Sequence, residues 1–499
     1  MCGIVGVIKA GGGSARCDLI GALGDLQHRG QDAAGAAVCD AEGRMSVHKG
    51  AGTVDRVFGA AWPDALPIDM PIAIGHVRYP TSGSKSEAQP FECLSAHFGR
   101  MAIAHNGTLG DLAKLAEATR QSGVLGCDSQ IMLHALVHNL EQALVSSAAT
   151  HHGTQDQAAN DEALVFAAVE RLFGQCSGGY ACVVLIERIG LVLFRDPQGI
   201  RPLCYGVKTS GDGQRLDWMA ASESVALDNW GAEEDSIKDV RPGEVMIVRL
   251  TPALGVSVRS NLDVTNDDLV VSPRPCLFEY VYFAHPNSVL DGIPVYGARL
   301  EMGRLLAARI RHVLSAEQLA EVQCVIAVPE TARIAAGQVA YELGLPLREG
   351  LLRNRYQTST LARTFIMADA ESRGRAVARK FTAVGRECRD KAVVVVDDSV
   401  VRGTTSKFII DLLRKSGATK VYLASCSPPI RYPNVYGIDI PSAKELIASG
   451  RTEHEVALLL GADQVIYQSV DDLQAACRQF NPSITAFEAS VFVGPETRQ

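Results

Sequence analysis

At 499 residues the chain is too long for one ordinary hydrophobic core, so two or more domains are expected. Its 47% hydrophobic, 21% charged and 6% aromatic residues describe a globular α/β protein and exclude a disordered or fibrous one. A formal net charge of −8 speaks against a nucleic-acid partner, and without an apolar run of membrane-span length or a secretory signal the expectation is a soluble, cytoplasmic protein with no membrane partner.

The chain opens Met1-Cys2-Gly3-Ile4-Val5-Gly6-Val7. Loss of the initiator methionine, favoured before a small residue, would give Cys2 a free α-amine beside its thiol. An α-amino group titrates near ~7.7–8.0 and a thiol near ~8.5, so at neutral pH the amine can take the thiol proton without a catalytic histidine. For an isolated Met-Cys start, a small buried cysteine is the commoner meaning.

Apolar residues at Leu19, Ile20, Leu23 and Leu26 predict a helix over Cys17 to Gln27, followed by the polar run Gln27-His28-Arg29-Gly30-Gln31-Asp32. Gly75 to Thr81 reads as a strand ending at Arg78, and Met101 to His105 as a strand ending in Asn106-Gly107. Asp128 stands before a second helical pattern through Ile131, Leu133 and Leu136. Ala149 to Asp161 reads as an exposed loop or insertion, and Tyr180 to Ile186 and Leu191 to Phe194 as further strands. Taken singly, Asn106-Gly107 is a common hairpin turn, Arg78 a surface ion pair and Asp128 a helix cap.

Together with Cys2, these segments resemble the class-II glutamine amidotransferase domain of the N-terminal-nucleophile hydrolases, over nearly the whole first half. The resemblance implies an α+β fold with packed antiparallel sheets between helices. It implies that Cys2 attacks the glutamine amide, with Asn106 and the Gly107 N–H stabilising the oxyanion. Arg78 would clamp the substrate carboxylate and Asp128 its ammonium group. Arg29 and Gly30 would help orient the terminal amine, and Thr81 would lie in the glutamine-site loop. Histidines 28, 76 and 105 stay outside the catalytic set.

A domain boundary is expected near residue 260, in the polar stretch Asn261 to Asp268, dividing the chain into 2–260 and 261–499. Beyond it the rhythm becomes strand, loop, helix. Val322 to Val328, Ala392 to Val396 and Val421 to Ser425 read as strands, and Ile334 to Leu343 and Ser406 to Lys415 as helices, so a parallel sheet is predicted. At the end of the central strand come Asp397, Asp398, Ser399, Arg402, Gly403, Thr404, Thr405 and Ser406. Adjacent carboxylates at a strand's carboxyl end can bind ribose hydroxyls and a hard cation, while small residues opening a helix can cradle a phosphate. The bland alternative is an acidic strand end with a Thr/Ser cap.

The whole segment resembles the phosphoribosyl pyrophosphate signature of the type I phosphoribosyltransferases, an α/β fold; no Walker A loop is present. Ala327 to Arg333 resembles that family's pyrophosphate loop, with Thr331 placed to contribute to a metal site. The basic run from Arg353 through Arg363, Arg373, Arg375 and Arg379 to Lys380 resembles its mobile lid, with Gln357 to Leu361 as extra residues.

A cysteine-first glutaminase ahead of a phosphoribosyltransferase resembles the amidophosphoribosyltransferases, as do Cys276 to Ala284 and Tyr432 to Asp439. That family implies conversion of glutamine, water and phosphoribosyl pyrophosphate into 5-phosphoribosylamine, glutamate and pyrophosphate, opening de novo purine (IMP) synthesis. It implies one Mg²⁺ per subunit held by Thr331, Asp397 and Asp398, a shielded path for ammonia, a homotetramer, and feedback inhibition by purine nucleotides. Thirteen scattered cysteines with no C-x-x-C pair suit the branch that carries no iron–sulfur cluster. The competing readings are another class-II amidotransferase, sharing only the first half, and a regulatory protein that senses phosphoribosyl pyrophosphate without turning it over.

Overall fold

The structure is a computed structural model. It describes all residues except 60–65, 80–86, 119–125, 151–156, 211–212, 214–215, 251–253, 261–271, 355–379, 439, 441 and 495–499. The expected boundary stretch Asn261 to Asp268, Thr81, and the basic run from Arg355 to Arg379 therefore lie outside the described residues.

The chain forms two compact units. The first comprises Met1–Pro275 together with two short segments, Asn287–Gly292 and Val435–Asp439, whose neighbours in sequence belong to the second unit.

In the first unit the strands in chain order are β1 (Gly3–Ile8), β2 (Ala33–Cys39), β3 (Met45–Ala51), β4 (Ile72–Arg78), β5 (Phe91–Ser95), β6 (Gly99–Gly110), β7 (Ser177–Ile186), β8 (Gly190–Arg195), β9 (Cys204–Thr209), β10 (Leu216–Ala221), β11 (Lys238–Asp239), β12 (Glu244–Leu250) and β13 (Leu254–Ser260). They make two antiparallel sheets, ordered β11-β9-β10-β1-β4-β2-β3 and β13-β12-β8-β7-β6-β5. Side chains alternate across each strand. Ile4 and Ile8 of β1 meet Ala102, Ala104 and Val183 between the sheets, whereas Val5 and Val7 meet Leu19 and Leu23 of the helix Arg16–Asp25. On the far side, Ile103, Cys182 and Val192 are covered by Leu136 and Leu140 of the helix Asp128–Thr150 and by Val165, Val169 and Leu172 of the helix Gln157–Gln175. The order is helix, sheet, sheet, helix. Because both faces of each sheet are covered, its strands read as continuous apolar runs instead of clean alternation.

One expectation is corrected. Ala149 to Asp161 is not simply an exposed loop: the helix before it runs to Thr150, and the next begins at Gln157. The alanines of the second segment carry helix propensity, and the apolar stripe that follows packs on its neighbour, which outweighs the polar surface residues.

The second unit comprises Cys276–Pro286, Ile293–Asn434 and Ile440–Gln499. Its sheet has five parallel strands in the order Leu347–Arg348, Val322–Ala327, Ala392–Asp397, Lys420–Ser425, Gln464–Tyr467. Val393 and Val395 of the central strand pack on Ile409 and Leu413, and Val394 and Val396 on Leu306, Ile310 and Val339. All four valines are fully buried, worth roughly 1.5–3 kcal/mol for each such side chain. The helix expected from Ser406 begins at Thr404, with Gly403 as its N-cap in the left-handed region at φ 75°. Leu351–Arg353 pairs antiparallel with Phe381–Ala383, and next to that pairing the Asn354 N–H donates to the Lys380 carbonyl at 2.9 Å.

Candidate active sites

In the first unit, β1, β4 and β6 bring together residues that are far apart in sequence. Cys2 stands one residue before β1, and its nitrogen donates to Asn106 Oδ1 at 3.1 Å. The thiol faces the Tyr79 carbonyl at 3.7 Å. Asn106 is fully buried and Nδ2 has no hydrogen-bond partner among the described residues. A buried amide left open on one side is costly unless something else uses it. Gly107, the next residue, lies at φ 146°, and a β-carbon there would sit 2.1 Å from the Gly179 carbonyl oxygen on β7, so no other residue fits.

Arg78 ends β4 with 6% of its surface exposed, and Nη2 holds Glu87 Oε2 at 3.0 Å. Asp128 opens its helix, with Oδ1 accepting the Ser129 N–H at 2.8 Å and Oδ2 the Leu109 N–H at 3.4 Å. Arg29 is 1% exposed and donates from Nε to the Cys2 carbonyl at 2.9 Å. Gly30 follows as the extended cap of the short 3₁₀ turn Gln27–Arg29, and its carbonyl accepts from the Gln27 side chain.

Two of the histidines left outside the catalytic set are buried around this site. His105 is held by Ser129 Oγ at Nδ1, 2.8 Å, and its N–H by Gln89 Oε1, 2.8 Å. Burial holds its imidazole below the usual range, although Asp128 pulls the other way. His76 is fully buried, and neither ring nitrogen has a partner among the described residues. Burial, with His105 and Arg78 nearby, pushes its pKa down to about 3. Among the described residues neither imidazole hydrogen-bonds to the thiol of Cys2.

In the second unit Asp397 is the last residue of the central strand and 6% exposed. Its Oδ1 accepts the Asp398 N–H at 2.9 Å, and Ser399 Oγ donates to Asp398 Oδ1 at 2.7 Å. Burial and the adjacent Asp398 charge push Asp397 well above the carboxylate range, and burial pushes Asp398 up to about 6, against the pull of Ser399, Arg299 and Lys380. Arg299, 3% exposed, is aimed by bonds to the carbonyls of Tyr280 and Ala284, both at 2.8 Å. Thr404 and Thr405 occupy the first helical turn, and Ser406 is buried. Arg402 pairs with Glu445 at 2.6 Å. Thr331 sits in the turn after Val322–Ala327.

Two buried carboxylates that repel one another fit a hard divalent cation, whose charge lets both ionise together. Among the described residues no group of three or more His, Cys, Asp or Glu could hold a metal. Mg²⁺ needs none, because it takes one or two carboxylates and completes its shell with water and substrate phosphate.

No family model matches the chain. It is 44% identical over 500 residues to an amidophosphoribosyltransferase of Escherichia coli K12, covering 99% of this chain and 92% of the relative. The glutamine phosphoribosylpyrophosphate amidotransferase of B. subtilis, solved with ADP and GMP, matches with a TM-score of 0.77 and 31% identity, over 99% of this chain and 97% of that one. A structure of the allosteric regulatory enzyme of purine biosynthesis matches with a TM-score of 0.78 and 31% identity, over 99% and 96%.

Proposed function

The chain belongs to the amidophosphoribosyltransferase family, and from that premise we propose how its own residues make 5-phosphoribosylamine from glutamine and phosphoribosyl pyrophosphate in the opening step of purine synthesis. The observation that carries the reading is the Cys2–Asn106 pair. A nucleophile's nitrogen is bonded to Oδ1 of an asparagine whose Nδ2 is buried and open.

That nitrogen is a peptide nitrogen while Met1 is attached, and it stands in for the α-amine exposed once the methionine is removed. The amine takes the thiol proton as sulfur bonds to the glutamine amide carbon, and the carbonyl electron pair moves onto oxygen. Asn106 Nδ2 and the Gly107 N–H are the donors for that oxyanion. As the carbon–nitrogen bond breaks, the ammonium group at the terminus returns its proton, so ammonia leaves. Water then cleaves the thioester to glutamate and restores Cys2. Arg78 would exchange Glu87 for the substrate carboxylate, and Asp128 would receive the ammonium group. Arg29 holds the Cys2 carbonyl and is followed by Gly30; Thr81, outside the described residues, is assigned to the glutamine site by the family resemblance alone.

In the 261–499 phosphoribosyltransferase domain, Asp397 and Asp398 would bind the ribose hydroxyls, and Ser399 and Arg402 to Ser406 the 5-phosphate, using the N–H groups of the helix start. Ammonia attacks the anomeric carbon, the bond to pyrophosphate breaks, and the new amine gives up a proton. Held by Asp397, Asp398 and Thr331, Mg²⁺ would neutralise charge on the departing pyrophosphate. The amidotransferase domain spans 2–260. The working protein is proposed to be a cytoplasmic homotetramer inhibited by purine nucleotides, a reading supported by the ADP and GMP of the B. subtilis enzyme. No described helix is long and apolar enough to cross a membrane.

The test compares wild type with Cys2→Ala, with glutamine or ammonium chloride as nitrogen donor and pyrophosphate release as readout. The variant should lose the glutamine reaction and keep the ammonium one, and intact-mass measurement of the active protein should show Met1 absent. Glutamine turnover by Cys2→Ala at the wild-type rate would refute the assignment.

A further inference from the structure

Glu223 is a fully buried carboxylate on the chain just after β10, without a role in the chemistry above. Its Oε1 accepts from Arg29 Nη1 at 2.5 Å and lies 2.8 Å from His28 Nε2, while Oε2 accepts from Ser288 Oγ at 2.7 Å. Burial works against its charge, but the Arg29 guanidinium and His28 hold it well below the usual carboxylate range. The guanidinium so held presents Nε to the Cys2 carbonyl at 2.9 Å.

Its neighbour Ser222 acts on the next part of the same strand. The Ser222 N–H donates to the Ile4 carbonyl at 3.0 Å, and Ser222 Oγ accepts the Ile4 N–H at 3.0 Å. The β1–β10 ladder begins only at Val5↔Ala221, so Ser222 and Glu223 extend the grip on the N-terminal strand beyond its regular pairing, back to the carbonyl of the nucleophile. Holding that carbonyl sets the plane of the Cys2–Gly3 peptide. The plane in turn limits where the Cys2 nitrogen and Sγ can stand relative to Asn106.

From this geometry we propose that Glu223 is a positioning residue for the Cys2 nucleophile, acting through Arg29. A structural ion pair alone would be a poor return, since a buried pair is often no more stabilising than well-packed apolar residues. A planar donor fixed by a carboxylate, by contrast, gives one direction to Nε–H. The inference rests on the reading of Cys2 as nucleophile.

The experiment is a kinetic cycle on the full chain with phosphoribosyl pyrophosphate present, using Glu223→Gln, Arg29→Ala and the double variant. Glu223→Gln should lower kcat with glutamine on the order of 10-fold, the size of effect expected from slight misplacement, with KM for glutamine nearly unchanged. The ammonium-dependent rate should stay at wild type. If Glu223 works through Arg29, the double variant is no slower than Arg29→Ala alone. Losses that multiply in the double variant, or a wild-type kcat in Glu223→Gln, overturn the proposal. Should Glu223→Gln fail to fold, Glu223→Asp keeps the charge and withdraws it by one methylene; a reduced kcat at constant KM supports the proposal, and a wild-type kcat overturns it. Failure of the underlying reading looks different, because wild type itself would then turn over glutamine without needing Cys2.

Discussion

Gly437 lies so close to Gly107 that a β-carbon on it would stand 3.1 Å from the Gly107 carbonyl carbon and 3.2 Å from its α-carbon. Gly437 belongs to the segment Val435–Asp439 of the first unit, whose main chain is also held by Arg201 Nε donating to the Tyr436 carbonyl at 2.8 Å. At φ 109° the position also suits only glycine. Gly437→Ala should therefore push the oxyanion backbone out of place and reduce the glutamine-dependent rate on the order of 10-fold or more. Steady-state glutaminase assays would check this, and an unchanged rate would show that the two backbones are free to separate.

Asn106→Ala removes both the acceptor of the Cys2 nitrogen and the open Nδ2 donor. Loss of one oxyanion donor elsewhere costs about 10²–10³ in kcat, and a similar loss is expected here with little change in KM for glutamine. A large rise in KM with normal kcat would instead mark Asn106 as a ground-state binding group.

Arg195 is buried and grips Asp291 through both nitrogens, at 2.6 and 2.9 Å. Asp291→Asn would leave the guanidinium charge without its main counter-ion and should destabilise the first unit by about 3–5 kcal/mol. Denaturant unfolding followed by intrinsic fluorescence would read the loss. The nearby Asp239, pushed up to about 7 by burial and the Asp291 charge, should ionise more readily in that variant and return part of the lost charge pairing.

His76 makes stability depend on pH in a defined direction. Its folded pKa of about 3 lies below the ordinary value of 6.5, so below pH 6.5 the unfolded chain binds a proton that the folded chain refuses. The contribution is complete above pH 6.5 and is lost as pH falls towards 3. Between pH 7.5 and pH 5 wild type should lose about 2 kcal/mol more than His76→Leu, from a slope of roughly 1.4 kcal/mol per pH unit. Parallel pH profiles for the two proteins would exclude the histidine as the cause.

Much of the molecule could be read from local pattern. Continuous apolar runs at Val393 to Val396 and at Tyr180 to Ile186 mark strands covered on both faces, and the order of strand and helix separates the antiparallel from the parallel unit. The candidate catalytic and binding positions stood out because each lies in a compact stretch: Cys2 at the start, Asn106-Gly107 in β6, which pairs with β7 on through Gly110 instead of ending there as expected, and Asp397 to Ser406 at a strand end. The polar stretch after Ala149 misled because surface composition says little about helices whose stability comes from a buried stripe on their other side.

Sequence alone thus pointed to the chemistry proposed for the chain, since a cysteine start, an Asn-Gly pair and an acidic strand end are matters of residue type and short spacing. Tertiary structure decided which groups hold that chemistry in place. Glu223 meets Arg29 across 194 positions, Ser129 meets His105 across 24, and Ser222 meets Ile4 across 218. Such pairings leave no periodic trace in the chain, because they arise only where sheet closure brings polar groups out of water and obliges each to find a partner.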